Sequence, residues 1–189
     1  HRHTSSALPS AMLRTRLLLV WHSRTGLARH MADALEAGAH AAAEEMEAAD
    51  SFAVVRRRAQ DATVEDVLSA HSYIFCAPEN LASTSGEMLE FFHRTYYHAF
   101  AVDEEAAAGG DYAEASRLLG RPCAVAVAAG SDGRSAAAQM ERICQGWRLK
   151  PVAPALVHRN GLVQTKENIL AAKECPPSLR EQCVELGGL

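Results

Sequence analysis

The sequence lacks the cysteine pairs from which disulfide frameworks and zinc ribbons are built. Its five cysteines are an odd number, and no two of them stand in a CxxC pair. Such usage argues against both kinds of stapled scaffold. No apolar run approaches the roughly 18 to 20 residues that a membrane span needs, so we expect no direct membrane span.

Several nucleotide-binding and hydrolase motifs are also missing. The absence of a GxxxxGK[ST] loop excludes a P-loop ATPase, and no GxGxxG follows the first predicted strand. No GxSxG elbow accompanies the neighbouring His22 and Ser23, which argues against a serine hydrolase. His93 and His98 are five residues apart, the wrong spacing for two ligands on one helical face, and no metal site is predicted.

The composition is that of one globular domain. The chain has 189 residues, of which 48% are hydrophobic and 22% charged, and these values are ordinary for a soluble domain. The formal net charge is −4, which gives no overall attraction to nucleic acid or anionic lipid.

The first residues are basic and rich in hydroxyl groups. Arginines occur from Arg2 onward, whereas the first acidic residue is Asp33. This composition is typical of organelle import sequences, although a cloned leader has a similar appearance. We therefore expect residues 1–15 to form a flexible extension, and we expect a cytoplasmic or organellar location, in a plastid or mitochondrion, rather than secretion.

Buried strands and amphipathic helices alternate along the rest of the chain. The predicted strands are 16–21, 52–55, 72–77, 122–129 and 154–157, and the predicted helices are 27–47, 63–70, 86–97, 136–147 and 177–186. This order predicts an α/β fold with a doubly wound parallel sheet. An acidic, alanine-rich stretch at about 103–117 is predicted to be a surface insertion.

Local sequence also predicts where some helices begin and end. Thr63 with Asp66, and Thr84 with Glu87, have the spacing of capping boxes. Gly187 and Gly188 are predicted to stop the last helix. Trp21, at the end of the first strand, is expected to point into the core.

In a doubly wound sheet, ligands bind beyond the carboxyl ends of the strands, where the strand order reverses. The chemistry is therefore predicted in three segments: a first loop, 22–26, a second loop, 78–85, and a third loop, 130–134.

The first loop has the composition of a phosphate site. Ser23, Thr25 and Gly26 stand immediately before a helix, and Arg24 adds positive charge. Hydroxyl groups and free amides at a helix N-terminus attract a phosphate dianion. A plain N-cap formed by Ser23 or Thr25 is the alternative.

The second and third loops suit a planar ring. The second offers free amides, the Asn80 carboxamide and the Leu81 side chain, and the third, Gly130-Ser131-Asp132-Gly133, offers small residues and backbone donors. An ordinary polar loop and a common turn are the alternatives for these two segments.

These segments resemble those of a known family. Trp21–Gly26 resembles the phosphate loop of flavodoxins and of flavodoxin-like quinone reductases. Ser85–Met88, together with Phe91–Thr95, resembles the segment that follows the second flavin loop in these proteins. Pro78–Ser83, Gly130–Gly133 and Gly146–Leu149 resemble a bacterial branch of the flavodoxin family. The resemblance covers about 16–186, with the insertion outside it.

The resemblance implies a single flavodoxin-like domain over residues 16–189, with five parallel strands in the order 2-1-3-4-5. It also implies non-covalent FMN. By this analogy the phosphate is held by Ser23, Arg24, Thr25 and Gly26, the ring is lined by Pro78, Glu79, Asn80 and Leu81, and the site is completed by Gly130, Ser131 and Asp132.

Two positions depart from the family pattern. Ala28 stands where a further hydroxyl is usual, which removes a hydrogen bond worth roughly 1 to 3 kcal/mol if made to a charged group. The stretch Pro78–Ser83 has no aromatic residue to stack on the ring.

The resemblance implies an FMN-dependent oxidoreductase or electron-transfer protein, with NAD(P)H as a donor and a quinone or flavin as the reduced substrate. The departures, the insertion and the basic N-terminus favour an alternative, a non-catalytic subunit of a larger organellar complex. The expected partners are the cofactor and either a second copy of the chain or a large complex.

Overall fold

A computed structural model describes residues 14–100 and 116–189. Its strands are β1 (Thr15–Trp21), β2 (Phe52–Arg58), β3 (Ser72–Asn80), β4 (Ser83–Thr84), β5 (Pro122–Ala129), β6 (Lys150–Pro151) and β7 (Leu156–Arg159). Its α-helices are α1 (Leu27–Glu45), α2 (Val64–Ser69), α3 (Gly86–Thr95), α4 (Arg134–Gly146), α5 (Lys166–Leu170) and α6 (Pro177–Gly188).

The main strands form a parallel sheet in the order β2-β1-β3-β5, and β6 and β7 both pair with β5 along its far edge. The predicted order 2-1-3-4-5 is thereby confirmed for the five main strands, with β7 as the fifth. The count is higher than predicted because β4 and β6 are additional strands of two residues each. Only β4 pairs antiparallel, as a short hairpin on β3, among the pairings of the described residues.

The sheet is apolar on both faces because alternate side chains point to opposite sides. Leu18 and Val20 of β1 belong to a core that includes Phe91 of α3 and Trp147 after α4. Leu17 and Leu19 belong to the opposite core, which includes residues of α1 and α6. Helices therefore cover both faces, as the continuous apolar strands predict.

The last strand of the sheet, at the edge beside β5, does not lie where it was predicted. The expected strand 154–157 lies at 156–159, and the separate strand β6 precedes it. Pro154 has no backbone N–H, and it falls in the gap between the two strands, where ladder pairing is interrupted. The predicted stop at Gly187 and Gly188 was also wrong, because both residues lie within α6.

One predicted capping box is confirmed and the other is wrong. Thr63 caps α2, since its Oγ1 accepts from the Asp66 amide at 3.1 Å and the Asp66 carboxylate accepts from the Thr63 amide at 3.0 Å. Thr84 instead pairs in the β3–β4 hairpin, and α3 begins after Ser85 without a side-chain cap. Because Thr84 pairs with Glu79 in the hairpin, the N-cap position of α3 falls on the next residue, Ser85.

The predicted extension at 1–15 and the insertion at 103–117 fall mostly outside the described residues. The end of the insertion is anchored: Ser116 is buried, and its Oγ donates to the Trp147 carbonyl at 2.9 Å. In the described part of the chain, no helix is long and apolar enough to cross a membrane.

Candidate functional site

The carboxyl ends of β1, β3 and β5 open onto a crevice of about 510 Å³, here named the strand-end crevice. Nine of the predicted site residues line it: Ser23, Arg24, Thr25, Pro78, Glu79, Asn80, Leu81, Gly130 and Ser131. Gly26 faces a neighbouring cleft and Asp132 lies outside both. The fold thus brings the three predicted loops together around one space.

The first loop presents free backbone donors. Within the described residues, the amides of Ser23, Arg24 and Thr25 have no hydrogen-bond acceptor. The Ser23 Oγ accepts from the Gly26 amide at 3.1 Å, which leaves the hydroxyl proton free to donate. These unpaired groups stand at the N-terminus of α1, where backbone dipoles favour an anion.

Gly26 fixes the geometry of the first loop. Its φ is 99°, in the range that favours glycine, and it forms the N-cap of the 19-residue helix α1. A Cβ at this position would stand 3.1 Å from the Lys173 carbonyl oxygen. Any side chain at residue 26 would therefore strain the loop and press on the segment beside it.

The second loop is a tight hairpin rather than an open loop. Asn80 pairs with Ser83, and the two residues of the turn, Leu81 and Ala82, have φ values of 53° and 58°. Two successive left-handed residues are typical of a type I′ turn, for which Asn-Gly is preferred, and each non-glycine residue costs roughly 1 to 2 kcal/mol there. The Leu81 side chain is fully exposed at the mouth of the crevice.

The carboxylate of Glu79 ties the second loop to the third. It accepts hydrogen bonds from the Ser131 hydroxyl at 2.9 Å, from the Ser131 amide at 3.3 Å and from the Gly133 amide at 3.0 Å. Two backbone donors of the third loop, expected to be free, are therefore occupied. The Asp132 carboxylate turns away from the crevice, where it accepts from the Arg134 amide at 3.3 Å.

A fourth wall closes the crevice and was missed by sequence analysis. Residues 160–173 cross its open side, with the Lys173 amide donating to the Thr25 carbonyl at 2.7 Å and Gln164 Nε2 donating to the Gly130 carbonyl at 2.8 Å. Leu162, Ile169 and Leu170 line the crevice from this segment and are partly exposed. We name residues 160–173 the covering segment.

A sequence feature could have revealed part of the covering segment. Thr165 caps α5, its Oγ1 accepting from the Asn168 amide at 3.2 Å. The Lys173 ammonium donates to the carbonyls of Asn168, Ile169 and Ala171 at 2.9 to 3.1 Å. A threonine at the N-cap position and a basic residue after the end of the helix are both recognisable signals of a helix terminus.

His22, the first residue of the first loop, carries a partly buried imidazole. Burial lowers the pKa of His22, and the nearby Arg24 and Arg58 lower it further, whereas Glu87 raises it. The His22 Nε2 is 3.3 Å from the Glu87 Oε1. Its Nδ1 is buried and has no partner among the described residues. The balance favours a neutral ring at pH 7.

The cysteine that lies below the first loop is Cys76. Cys76 is buried below the first loop, its Sγ lies 3.3 Å from the Ala28 carbonyl, and burial raises the pKa of this thiol. Among residues 14–100 and 116–189, no three His, Cys, Asp or Glu side chains converge as metal ligands would. The groups that the first loop presents to the crevice are backbone amides, hydroxyl groups and the Arg24 guanidinium.

The comparison with known proteins rests on structure. No protein-family model matches the chain, and no curated protein matches its sequence. Solved structures do match it over almost its full length.

A flavodoxin from the domain Archaea superposes with a TM-score of 0.64 at 13% identity, covering 92% of this chain and 94% of that one. Megasphaera elsdenii flavodoxin, solved in its two-electron reduced form, gives 0.58 at 17% identity, covering 91% and 98%. A flavodoxin, WrbA-like protein from Agrobacterium tumefaciens gives 0.57 at 13% identity, covering 92% and 93%. At these identities the comparison concerns architecture, and the resemblance to flavodoxins is confirmed at that level: the chain has the flavodoxin-like fold.

Proposed function

We propose that the chain binds FMN in the strand-end crevice and acts as a flavodoxin-like oxidoreductase or electron-transfer protein. The observation that carries the proposal is the meeting of the three loops around one crevice, whose volume of about 510 Å³ falls within the usual range for ligand pockets. The flavodoxin-like fold supports it by analogy.

The first loop would hold the phosphate. The free amides of Ser23, Arg24 and Thr25 lie on the crevice, and the Arg24 guanidinium has no ion-pair partner among the described residues. Gly26 would let the backbone approach the phosphate oxygens. Ala28 lines the crevice without a hydroxyl group, so the phosphate would rely on backbone donors at that point.

The second and third loops would hold the ring. Pro78, Asn80 and Leu81 lie on one side, and Gly130 and Ser131 on the other. Glu79 would act through Ser131 by fixing the distance between the two loops. Asp132 would contribute through the shape of the third loop, because its carboxylate is turned toward Arg134.

A bound flavin would supply hydride or electron transfer, and the protein would position it and tune its potential. NAD(P)H is the donor that we propose, with a quinone or flavin as acceptor. The partly exposed Leu162, Ile169 and Leu170 beside the crevice offer apolar contact to a flat acceptor.

The direct test is titration of the purified protein with FMN, followed by flavin fluorescence quenching. Binding at tens of micromolar FMN or below is expected, and its loss in Thr25→Val and Gly26→Val would support the assignment of the phosphate to the first loop. Absence of binding in the wild type at those concentrations contradicts the proposal. Bleaching of the bound flavin by NADH or NADPH then separates an enzyme from a flavin carrier.

A non-catalytic subunit of a larger organellar complex is the second candidate, and one observation favours it. Glu79 already occupies donors of the third loop that a ring would otherwise use. Such a subunit would bind no flavin and would elute from cell extracts only in a large assembly. A free, monodisperse pool in those extracts contradicts this candidate.

A further inference from the structure

A second cleft of about 560 Å³ lies on the opposite side of the first loop. Three arginines line it: Arg24 from the loop, Arg29 from the first turn of α1 and Arg58 from the end of β2. We name it the arginine cleft. Trp21 contributes to its wall, and the Arg58 guanidinium lies 5.4 Å from the centroid of the Trp21 ring.

The three guanidinium groups are not neutralised by the protein. Within the described residues, none of them forms an ion pair or a hydrogen bond to a side chain. The one carboxylate lining the cleft, that of Glu87, is 3.3 Å from His22 Nε2. The cleft therefore holds more positive than negative charge.

The two arginines that precede Arg58 in β2 are paired with carboxylates, unlike Arg58 itself. Arg56 pairs with Asp33 at 2.6 Å and with Glu36 at 2.8 Å, and Arg57 pairs with Asp66 at 3.2 Å. Only Arg58, the third of the run, is left without a carboxylate among the described residues, and it is the member that faces the cleft beside the first loop.

The two clefts share the first loop. Ser23, Arg24 and Thr25 line both of them, and Leu170 of the covering segment lies at their common border. A phosphate on this loop would therefore stand between the strand-end crevice and the arginine cleft. Guanidinium groups are the side chains best suited to phosphate, since their planar donors match its oxygens.

We propose that the arginine cleft is a second phosphoryl-binding site, which takes a nucleotide phosphoryl group next to the phosphate held by the first loop. This inference rests on the proposed function, because it assumes that a first phosphate is bound at the first loop. The second phosphoryl group has two sources with the same chemistry: the resident flavin itself, as a dinucleotide, or a separate adenine nucleotide such as the donor.

The test compares FMN, FAD and ADP on the wild type and on Arg29→Gln/Arg58→Gln. Arg57→Gln is the matched control, because Arg57 is adjacent to Arg58 but does not line the cleft. Flavin fluorescence reports the binding of FMN and FAD, and calorimetry reports the binding of ADP to the protein with and without added FMN. Thermal unfolding of each variant establishes that it is folded.

If the flavin supplies the second phosphoryl group, FAD binds the wild type about tenfold or more tightly than FMN, as two added charge-assisted contacts would allow. If a separate nucleotide supplies it, FAD and FMN bind alike but ADP binds the FMN-loaded protein. In either case the double variant loses the FAD advantage or the ADP binding and retains FMN affinity, while Arg57→Gln behaves as the wild type.

The proposal is overturned if FAD shows no advantage and ADP does not bind, or if Arg57→Gln causes the same loss as the double variant. Failure of the proposed function has a different result. If neither flavin binds but ADP binds and is lost in the double variant, the arginine cleft stands and the flavin site does not.

Discussion

Glu79 and Ser131 join two loops that come from different strands of the sheet, the serine hydroxyl donating to the glutamate carboxylate at 2.9 Å. The same carboxylate accepts from the Gly133 amide at the N-terminus of α4, where a negative charge is favourable. This contact sets the spacing between the two sides of the strand-end crevice.

We expect Glu79→Gln to loosen this contact. The neutral amide keeps one acceptor oxygen but loses the charge, which should lower the free energy of unfolding by about 1 kcal/mol. FMN affinity should fall several-fold because the ring loops are no longer held together. Urea unfolding and FMN titration measure the two effects, with Glu90→Gln on exposed helix surface as the control, and an unchanged affinity in Glu79→Gln contradicts the positioning role.

Gly26→Ala should destabilise the protein and abolish FMN binding. A left-handed backbone costs a non-glycine residue roughly 1 to 2 kcal/mol, and the new methyl group would also meet the Lys173 carbonyl. Gly86→Ala is the matched control, because Gly86 begins α3 with no atom near its would-be Cβ. In chemical denaturation the free energy of unfolding should fall for Gly26→Ala only. An equal fall for Gly86→Ala would refute this explanation.

The turn at Leu81 and Ala82 should be stabilised by glycine. Ala82→Gly relieves a positive φ and should raise the free energy of unfolding by up to about 1 kcal/mol. Leu81→Asn should also stabilise the turn, but it removes the apolar side chain at the crevice mouth and should weaken FMN binding. If Leu81→Asn leaves FMN affinity equal to that of Ala82→Gly, Leu81 does not contact the ring.

Stability should decline as the pH falls below the ordinary pKa of histidine, about 6.5. Burial lowers the pKa of His22 in the folded protein, and burial also lowers that of His158. The unfolded chain then binds protons at a higher pH than the folded one, so stability is greatest above pH 6.5 and is lost as the pH falls toward the folded pKa values.

Variants at and beside His22 test this explanation. His22→Gln should flatten the decline, and Glu87→Gln should steepen it because the Glu87 carboxylate raises the pKa of His22. Urea unfolding between about pH 7.5 and about pH 5.5 measures the slope. His93→Gln, on the exposed surface of α3, is the control, and a His22→Gln slope equal to that of the wild type contradicts the assignment.

The strands were predictable because their patterns are local. Leu17 to Val20 form an unbroken apolar run that only a strand buried on both faces requires. The Thr63 cap depends on residues three apart and was also predictable. The placement of the three loops at one end of the sheet follows from parallel topology.

The remaining features depend on contacts between distant residues. Trp21 was expected in the core, but its ring also lies beneath Arg56 and Arg58 of β2, at 5.0 and 5.4 Å. The hydrogen bond from Lys173 to Thr25 links residues that no local pattern connects. Glu79 was expected at the ring, and its partners on the third loop lie more than 50 residues away along the chain.

The arginine run of β2 has one more consequence. Within the described part of the chain, β2 pairs only with β1 and so leaves one side of its backbone unpaired. Positive charge along an edge strand discourages a second sheet from adding to it. Arg56, Arg57 and Arg58 thereby place charged side chains on this edge strand and disfavour aggregation through it.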